Sequence, residues 1–343
     1  MDALIKVNES KLYRESIKRI AAELPVKKGN VLITGATGLI GSCMVDVLLE
    51  ANRSGSSFTI YALGRSDEKL RNRFCCDSVH IVAQNITEAF YIENLDYIIH
   101  AASNADPKSY ALYPAETILT NVLGAKNVLD YCRNKQARVL LTSTFEVYGK
   151  LEQDAYSEEV YGLIDQNQIR SCYPESKRTA ELLFRTYHEE YGVDCVIARL
   201  ASIYGPTMDK TDSKAHAQFI RNALQGDNIV LKSEGLQKRT YCYLVDAVSG
   251  LFTVLFKGKG GEAYNVANGK SVATIADVAR TAAEIAGTKV VFDLPDEIER
   301  KGFSKPQNCI LISSKLEGLG WVGKYDLKDG LNETISILKE IRE

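Results

Sequence analysis

Short apolar runs recur through the first two hundred residues, at 31–34, 58–63, 79–82, 97–100, 139–142 and 193–197. Each is too short for a helix and reads as a strand. Between several of them lie longer stretches with apolar residues at helical spacing, at 40–51, 115–135 and 174–191. Strands that alternate with helices of this length predict a parallel sheet, because a parallel neighbour is reached only by a long crossover. The expected fold class is therefore α/β, a Rossmann-like doubly wound parallel sheet. Ile17, Ile20 and Leu24 recur at helical spacing among charged residues, which predicts a helical extension over 1–29 packed on the body.

After Tyr204-Gly205-Pro206 the pattern loosens. Helix is expected at 219–224, 275–286 (with Thr274 as N-cap) and 335–341, and an extended segment at 229–232. The reading divides the chain into a cofactor domain, 30–204, and a smaller C-terminal substrate lobe, 205–343. Parts of 240–270 return to complete the sheet. No Pro/Gly-rich linker separates the two, so they should share a cleft.

Composition narrows the function classes. A formal net charge of -2 gives no reason to expect nucleic acid as a partner. The eight cysteines lack Cys-x-x-Cys spacing and accompany only four histidines, which suggests neither a metal site nor a disulfide framework and fits a reducing cytoplasm. No run of about 18 apolar residues is present to cross a bilayer. Acids at Asp2, Glu9, Glu15 and Glu23 stand where a signal peptide would be apolar, so a cytoplasmic, membrane-free protein is expected.

Gly35-Ala36-Thr37-Gly38-Leu39-Ile40-Gly41 follows the first strand directly and opens the first helix. In that context the glycines allow a tight turn and close approach of a dinucleotide pyrophosphate, which the helix N-terminus attracts. At the end of the second strand an acid would accept the hydrogen bonds of the adenosine ribose, yet Arg65-Ser66 stands there. A guanidinium and a hydroxyl suit a 2′-phosphate, which favours NADP(H) and leaves NAD(H) open; the alternative is that Arg65 is a solvated charge or stacks on adenine.

Tyr173 and Lys177 lie four residues apart on one predicted helix face, a spacing at which an ammonium can tune a phenol for proton transfer. Tyr131 and Lys135 share that spacing, so position must separate the pairs. Tyr173 lies one crossover beyond the strand that carries Ser143-Thr144-Phe145-Glu146-Val147-Tyr148-Gly149 at its carboxyl end, above the C-terminal edge where doubly wound sheets bind ligands.

Taken in order, the glycine motif, His100-Ala101-Ala102-Ser103, Asn121, Ser143 to Gly149, Tyr173 with Lys177, and Tyr204-Gly205-Pro206 resemble the extended short-chain dehydrogenases, also called the NAD-dependent epimerase/dehydratase family. Thr207-Met208 and Gln237-Lys238-Arg239 are most similar to the UDP-glucuronate decarboxylases and nucleotide-sugar 4,6-dehydratases within it. The resemblance implies that Thr144 holds the reacting hydroxyl, Tyr173 exchanges its proton, Lys177 binds the nicotinamide ribose, and Glu146 is a second acid or base. It adds Asn85, Ile86, Ala101, Ala102, Ser103 and Asn121 as cofactor contacts. Ser103, Thr144, Phe145, Arg170, Ser202, Lys214, Lys232 and Arg239 are the implied substrate contacts. Thr144 and Glu146 as strand-end caps, and Lys232 and Arg239 as solvated charges, are the structural alternatives. A homodimer paired through 115–135 and 174–191 is also implied.

Departures from that pattern keep several reactions open. Phe145 replaces the aspartate of the dehydratases, Ser202 a common asparagine and Thr207 an arginine, while Lys214 and Lys305 stand where arginines often grip the nucleotide. Together with Arg65 these leave three readings. The first is redox-neutral chemistry on a nucleotide-linked sugar, supplying surface-polysaccharide precursors. The second is NADPH-dependent reduction of a sugar phosphate to an alditol phosphate, and the third a non-catalytic cofactor-binding module.

Overall fold

Ser10 caps the first helix, its hydroxyl accepting from the Tyr13 N–H. The computed structural model describes residues 6–74, 77–294 and 307–342. Through the first half run α1 (Lys11–Glu23), β1 (Lys28–Thr34), α2 (Leu39–Arg53), β2 (Ser57–Gly64), α3 (Asp67–Arg73), β3 (Val79–Ala83), β4 (Tyr97–His100), α4 (Pro107–Leu112), α5 (Pro114–Lys135) and β5 (Arg138–Thr144). Then follow β6 (Ala155–Tyr156), α6 (Cys172–Tyr191), β7 (Cys195–Leu200), β8 (Ser202–Tyr204), α7 (Ala215–Gln225), β9 (Ile229–Leu231), β10 (Lys238–Tyr243), α8 (Leu244–Lys257) and β11 (Ala263–Val266). The chain closes with β12 (Val272–Thr274), α9 (Ile275–Ala286), β13 (Val290–Phe292), β14 (Ile310–Leu311), the single turn α10 (Ser314–Glu317) and α11 (Leu327–Glu340).

Seven strands form one sheet in the order β11-β7-β5-β4-β1-β2-β3, and every neighbouring pair is parallel. The order reverses between β1 and β4, which opens a crevice beyond their carboxyl ends. Helices cover both faces, so the middle strands are apolar throughout: Val31, Leu32 and Ile33 are all buried, as are Val139, Leu140 and Leu141. The expected fold class is thus observed, with β11 from the second half completing the sheet.

The remaining strands build small sheets, β12-β10-β8, β13-β9 and β14-β6, beside the carboxyl edge of the large one. Thr274 caps α9 in a reciprocal pair with Asp277, at the predicted position. The last helix departs from expectation: it starts at Leu327, a turn or more before residue 335, with Asp326 as its cap. Gly330 looks like a helix breaker in the sequence, but here a side chain would collide with the Tyr204 hydroxyl and approach Tyr243 Cβ to 2.9 Å. Close packing, not termination, explains that glycine. Among the described residues no helix is long and apolar enough to cross a membrane.

Candidate active site

The site begins at the turn between β1 and α2. Gly35 adopts φ 67°, and a Cβ there would lie 2.8 Å from the backbone of Ala101 and Ala102. Thr34 Oγ1 fastens the same crossing by accepting from the N–H groups of Ala101 (3.2 Å) and Ala102 (3.1 Å), and it pairs with His100 Nδ1 at 2.9 Å. Gly38 is the N-cap of α2 and offers no side chain, so the first-turn N–H groups of Leu39, Ile40 and Gly41 are left to an outside acceptor.

Two cavities meet at this turn. One, of about 400 Å³, takes in Gly35, Gly38, Leu39, Ile40 and Gly41 and runs towards Tyr173. The other, of about 200 Å³, is lined by Thr37, Arg65, Asn85, Ile86 and Ala102 and shares Gly35, Gly38, Ala101 and Ser103 with the first. A cradle of glycines, flanked by two cavities, fits a dinucleotide whose diphosphate sits on the turn.

The side chains of three expected cofactor contacts are engaged by other residues in the free protein. Ser66 is the N-cap of α3, its hydroxyl engaged by the Lys69 N–H. Asn121 is buried, its amide oxygen accepting from the Ser103 hydroxyl (2.8 Å) and its amide N–H donating to Ser176 Oγ (2.9 Å), and it does not line either cavity. Arg65 does line the smaller cavity, but its guanidinium donates to Glu116 of α5 at 2.6 Å. A carboxylate is therefore present beside the second strand after all. It comes from a residue 51 positions on, which no local motif could have revealed.

Thr144 ends β5, and Tyr173 and Lys177 project from the first turns of α6 towards it. Tyr173 is 7% exposed and stacks on Tyr110. Burial raises its phenol above the ordinary tyrosine value and the charge of Glu146 adds to that, while a hydrogen bond with Thr144 and the charge of Arg170 oppose it. Glu146 accepts from Arg170 Nη1 at 2.9 Å, which sets a charged pair at the mouth.

Lys177 is 2% exposed and donates to the carbonyl of Thr142 at 2.9 Å. Burial pulls its ammonium down to about 8, opposed by the charge of Glu181. Lys177 thus points under the strand end, and Thr144, Glu146, Tyr110 and Arg170 are what govern the phenol in the free protein. The look-alike Tyr131 spends its hydroxyl on the carbonyl of Ile92 (2.8 Å) and the N–H of Leu95 (3.1 Å), a packing role.

Across the cleft stand Ser202 at the start of β8, Lys214 at the cap of α7, and Arg239 on β10, all lining the larger cavity. Lys214 pairs with Asp212 at 3.2 Å. The Arg239 guanidinium lies 5.7 Å from the centre of the Phe145 ring, so the aromatic residue holds the cation at the wall. Lys232 is exposed just past β9 and does not line the cleft. Lys305 lies outside the described residues, as do Cys75 and Cys76.

Thr207 is buried and donates to the Leu39 carbonyl at 2.7 Å, tying the substrate side to the cofactor helix. Tyr110, His216 and Tyr241 also line the cleft and were not foreseen. Only the convergence of α4, α7 and β10 on Tyr173 marks them.

Comparison with known proteins agrees with this geometry. The chain is 34% identical over 305 residues to UDP-glucuronic acid decarboxylase 6 of Arabidopsis thaliana, covering 88% of this chain and 86% of that one. It is 31% identical over 314 residues to UDP-glucuronic acid decarboxylase 1 of Xenopus tropicalis, covering 90% and 72%. Among solved structures, dTDP-glucose 4,6-dehydratase from Streptomyces venezuelae, with NAD bound, superimposes with a TM-score of 0.77 at 25% identity, over 91% of this chain and 98% of that one. UDP-glucose 4-epimerase of Thermotoga maritima shares the fold, with a TM-score of 0.78 at 23% identity over 92% and 100%. Residues 31–267 match the NAD dependent epimerase/dehydratase family, and the chain is a member of it, an NAD(P)-dependent sugar-modifying enzyme of the short-chain dehydrogenase type.

Proposed function

We propose that the enzyme acts on a nucleoside diphosphate sugar by redox-neutral chemistry, with UDP-glucuronate the first substrate to test. The observation that carries this reading is a single cleft of about 400 Å³ with Thr144, Tyr173, Lys177 and the Glu146–Arg170 pair at one side and Arg239 and Lys214 at the other. The first group handles a carbinol proton and the second an anion. The decarboxylases at 34% and 31% identity support the choice of first substrate. In this reading residues 30–204 hold the cofactor and 205–343 mainly form the substrate wall.

When bound, NAD supplies oxidation of a ring carbinol and the later return of the same electrons. Tyr173, once ionised to the phenolate, takes the proton of that hydroxyl and gives it back, with Thr144 fixing the oxygen. Lys177 holds its N–H groups between the strand end and the cofactor side of the cleft. Glu146, restrained by Arg170, moves a second proton at the sugar, and Arg239 and Lys214 bind the diphosphate. Phe145 leaves no acid at its position to protonate a departing hydroxyl, which favours decarboxylation or epimerisation over dehydration.

NAD is the better fit than NADP because Glu116 cancels the charge of Arg65 that a 2′-phosphate would require. Buried free cysteines at 43, 132, 172, 195 and 242 suit a reducing cytoplasm. Exposed Ile118, Leu119 and Leu123 on α5 with Leu182 on α6 form an apolar strip that suits a homodimer. The deciding experiment incubates the protein with NAD and UDP-glucuronate. A new nucleotide sugar and carbon dioxide, formed with no net change in reduced nicotinamide, is the expected result. Net NADPH consumption with a sugar phosphate would favour the reductase, and cofactor binding without turnover on any sugar would leave only a binding module.

A further inference from the structure

Tyr173, Lys177 and Glu181 stand at four-residue steps on α6 and so share one face of that helix. The first two have a part in the reading above; Glu181 has none. It is buried, and its partner on the sheet is Ser143, the residue before Thr144, whose hydroxyl donates to Glu181 Oε1 at 2.6 Å. Lys177 donates to the carbonyl of Thr142, one residue earlier. Two successive residues of β5 are therefore pinned by two successive turns of α6, immediately ahead of the strand end that lines the cleft.

The carboxylate is itself fixed from a second strand. Arg199 of β7 meets it in a two-pronged contact, with Nε 3.1 Å from each oxygen and Nη2 2.7 Å from Oε2, and donates from Nη1 to the Glu158 carbonyl at 2.8 Å. Around this pair the interface is apolar. Val139 and Leu141, which precede Ser143 on the same face of β5, share a buried cluster with Ala180 and Phe184 of α6. A buried ion pair is often no more stabilising than apolar side chains of similar volume, so cohesion alone does not account for it. What apolar packing lacks is direction: a bond from hydroxyl to carboxylate fixes how far a strand end slides along a helix, which interchangeable methyl groups leave looser. Here that coordinate is the separation of Thr144 from Tyr173, and an error of about 1 Å in such a pair can cost roughly a hundredfold in rate.

Resting on the redox-neutral nucleotide-sugar reading, we propose that Glu181 is a positioning residue: by holding the Ser143 hydroxyl it seats the end of β5 on α6, so that Thr144 and Tyr173 reach the same substrate hydroxyl together.

The test compares the wild type, Ser143→Ala, Glu181→Asp and the double variant with NAD and UDP-glucuronate, reading kcat, KM, the Kd of NAD and the melting temperature. Ser143→Ala removes one hydroxyl and keeps the ion pair. Glu181→Asp keeps the charge opposite Arg199 but is one methylene too short to hold Ser143 as well. Each should lower kcat by about tenfold or more, while KM and NAD affinity stay within about twofold of wild type. The double variant should be no slower than the slower single one, because both substitutions break one bond. A kcat for Ser143→Ala within about twofold of wild type, whatever the melting temperature does, overturns the proposal, since a role in stability alone predicts that result. Effects of the two substitutions that multiply overturn it as well. If Glu181→Asp does not fold, Ser143→Ala decides by itself. Both overturning results leave the nucleotide-sugar reading standing, whereas a wild type that turns over no nucleotide sugar overturns that reading and the proposal with it.

Discussion

Tyr173 lies parallel to Tyr110, with ring centroids 5.3 Å apart and planes 16° from parallel. The contact fixes the phenol by packing on α4 as well as by its place on α6. Burial drives both hydroxyls upward, Tyr110 to about 12, so each is a protonated phenol at neutral pH in the free protein.

Tyr173→Phe keeps this stack and removes only the proton carrier. Turnover should fall by about 10²–10⁴, the usual range for a lost acid–base group, with the melting temperature nearly unchanged. Because Glu146 helps to hold the phenol up, Glu146→Gln should move the rising limb of the kcat/KM pH profile to lower pH. A limb that stays put or moves upward would remove Tyr173 as the titrating group.

Lys177 has a folded value of about 8 against 10.5 as its ordinary one. The unfolded chain therefore holds the extra proton between these limits, and stability rises with pH through that window. Lys177→Met should accordingly raise the stability of the cofactor-free protein near neutral pH by about 1–3 kcal/mol, at roughly 1.4 kcal/mol per unit, and with it the melting temperature, while turnover is lost. Calorimetric melts and a turnover assay of the same preparation check both halves.

His100 behaves with the same pH sense in a lower window. Burial, and next the charge of Lys177, bring it down to about 3 from 6.5, so the unfolded chain gains its proton first as pH falls. Stability should drop from about pH 6.5 towards 3, and by pH 5 this one residue should account for about 2 kcal/mol. Melting at pH 7 and 5 should show a smaller acid loss for His100→Asn than for the wild type.

Arg65 and Glu116 form a largely exposed pair at the smaller cavity, a class of contact worth under about 1 kcal/mol. Glu116→Ala frees the guanidinium and should lower KM for NADPH about fivefold, the equivalent of roughly 1 kcal/mol, with little effect on NAD. Gly35→Ala should raise KM for both cofactors together, since its backbone at φ 67° and its contact with Ala101 serve either one.

Ile118, Leu119 and Leu123 are partly to half exposed on one helix. If that strip pairs two copies, Leu119→Glu should convert a dimer to a monomer in sedimentation at micromolar concentration. A wild type that sediments as a monomer would end the proposal.

Reading and structure part company in particular places. The Gly35–Gly41 turn was legible because strand, turn and helix are contiguous, and every feature that suits it to a diphosphate is local backbone. Thr144 and Tyr173 could be paired because crossover topology puts the end of β5 beside the start of α6. The place of Asn121 was not legible, because one side chain can either meet a ligand or support its neighbours, and only the fold shows its two hydrogen bonds to Ser103 and Ser176. The exposed place of Lys232 away from the cleft was not legible either, because charge near a predicted strand says nothing about which face it leaves.

What the sequence by itself determined is periodic or contiguous: the alternation that makes a parallel sheet, the glycine turn, and the cap at Thr274. What only the tertiary structure decided is relational. Glu116 meets Arg65 across 51 residues, Thr207 reaches back to Leu39, and His216 joins Arg239 at the cleft wall. Local backbone preference acts over a few neighbours and leaves a period in the chain, whereas contacts made by packing carry no period and become visible only once the elements have met.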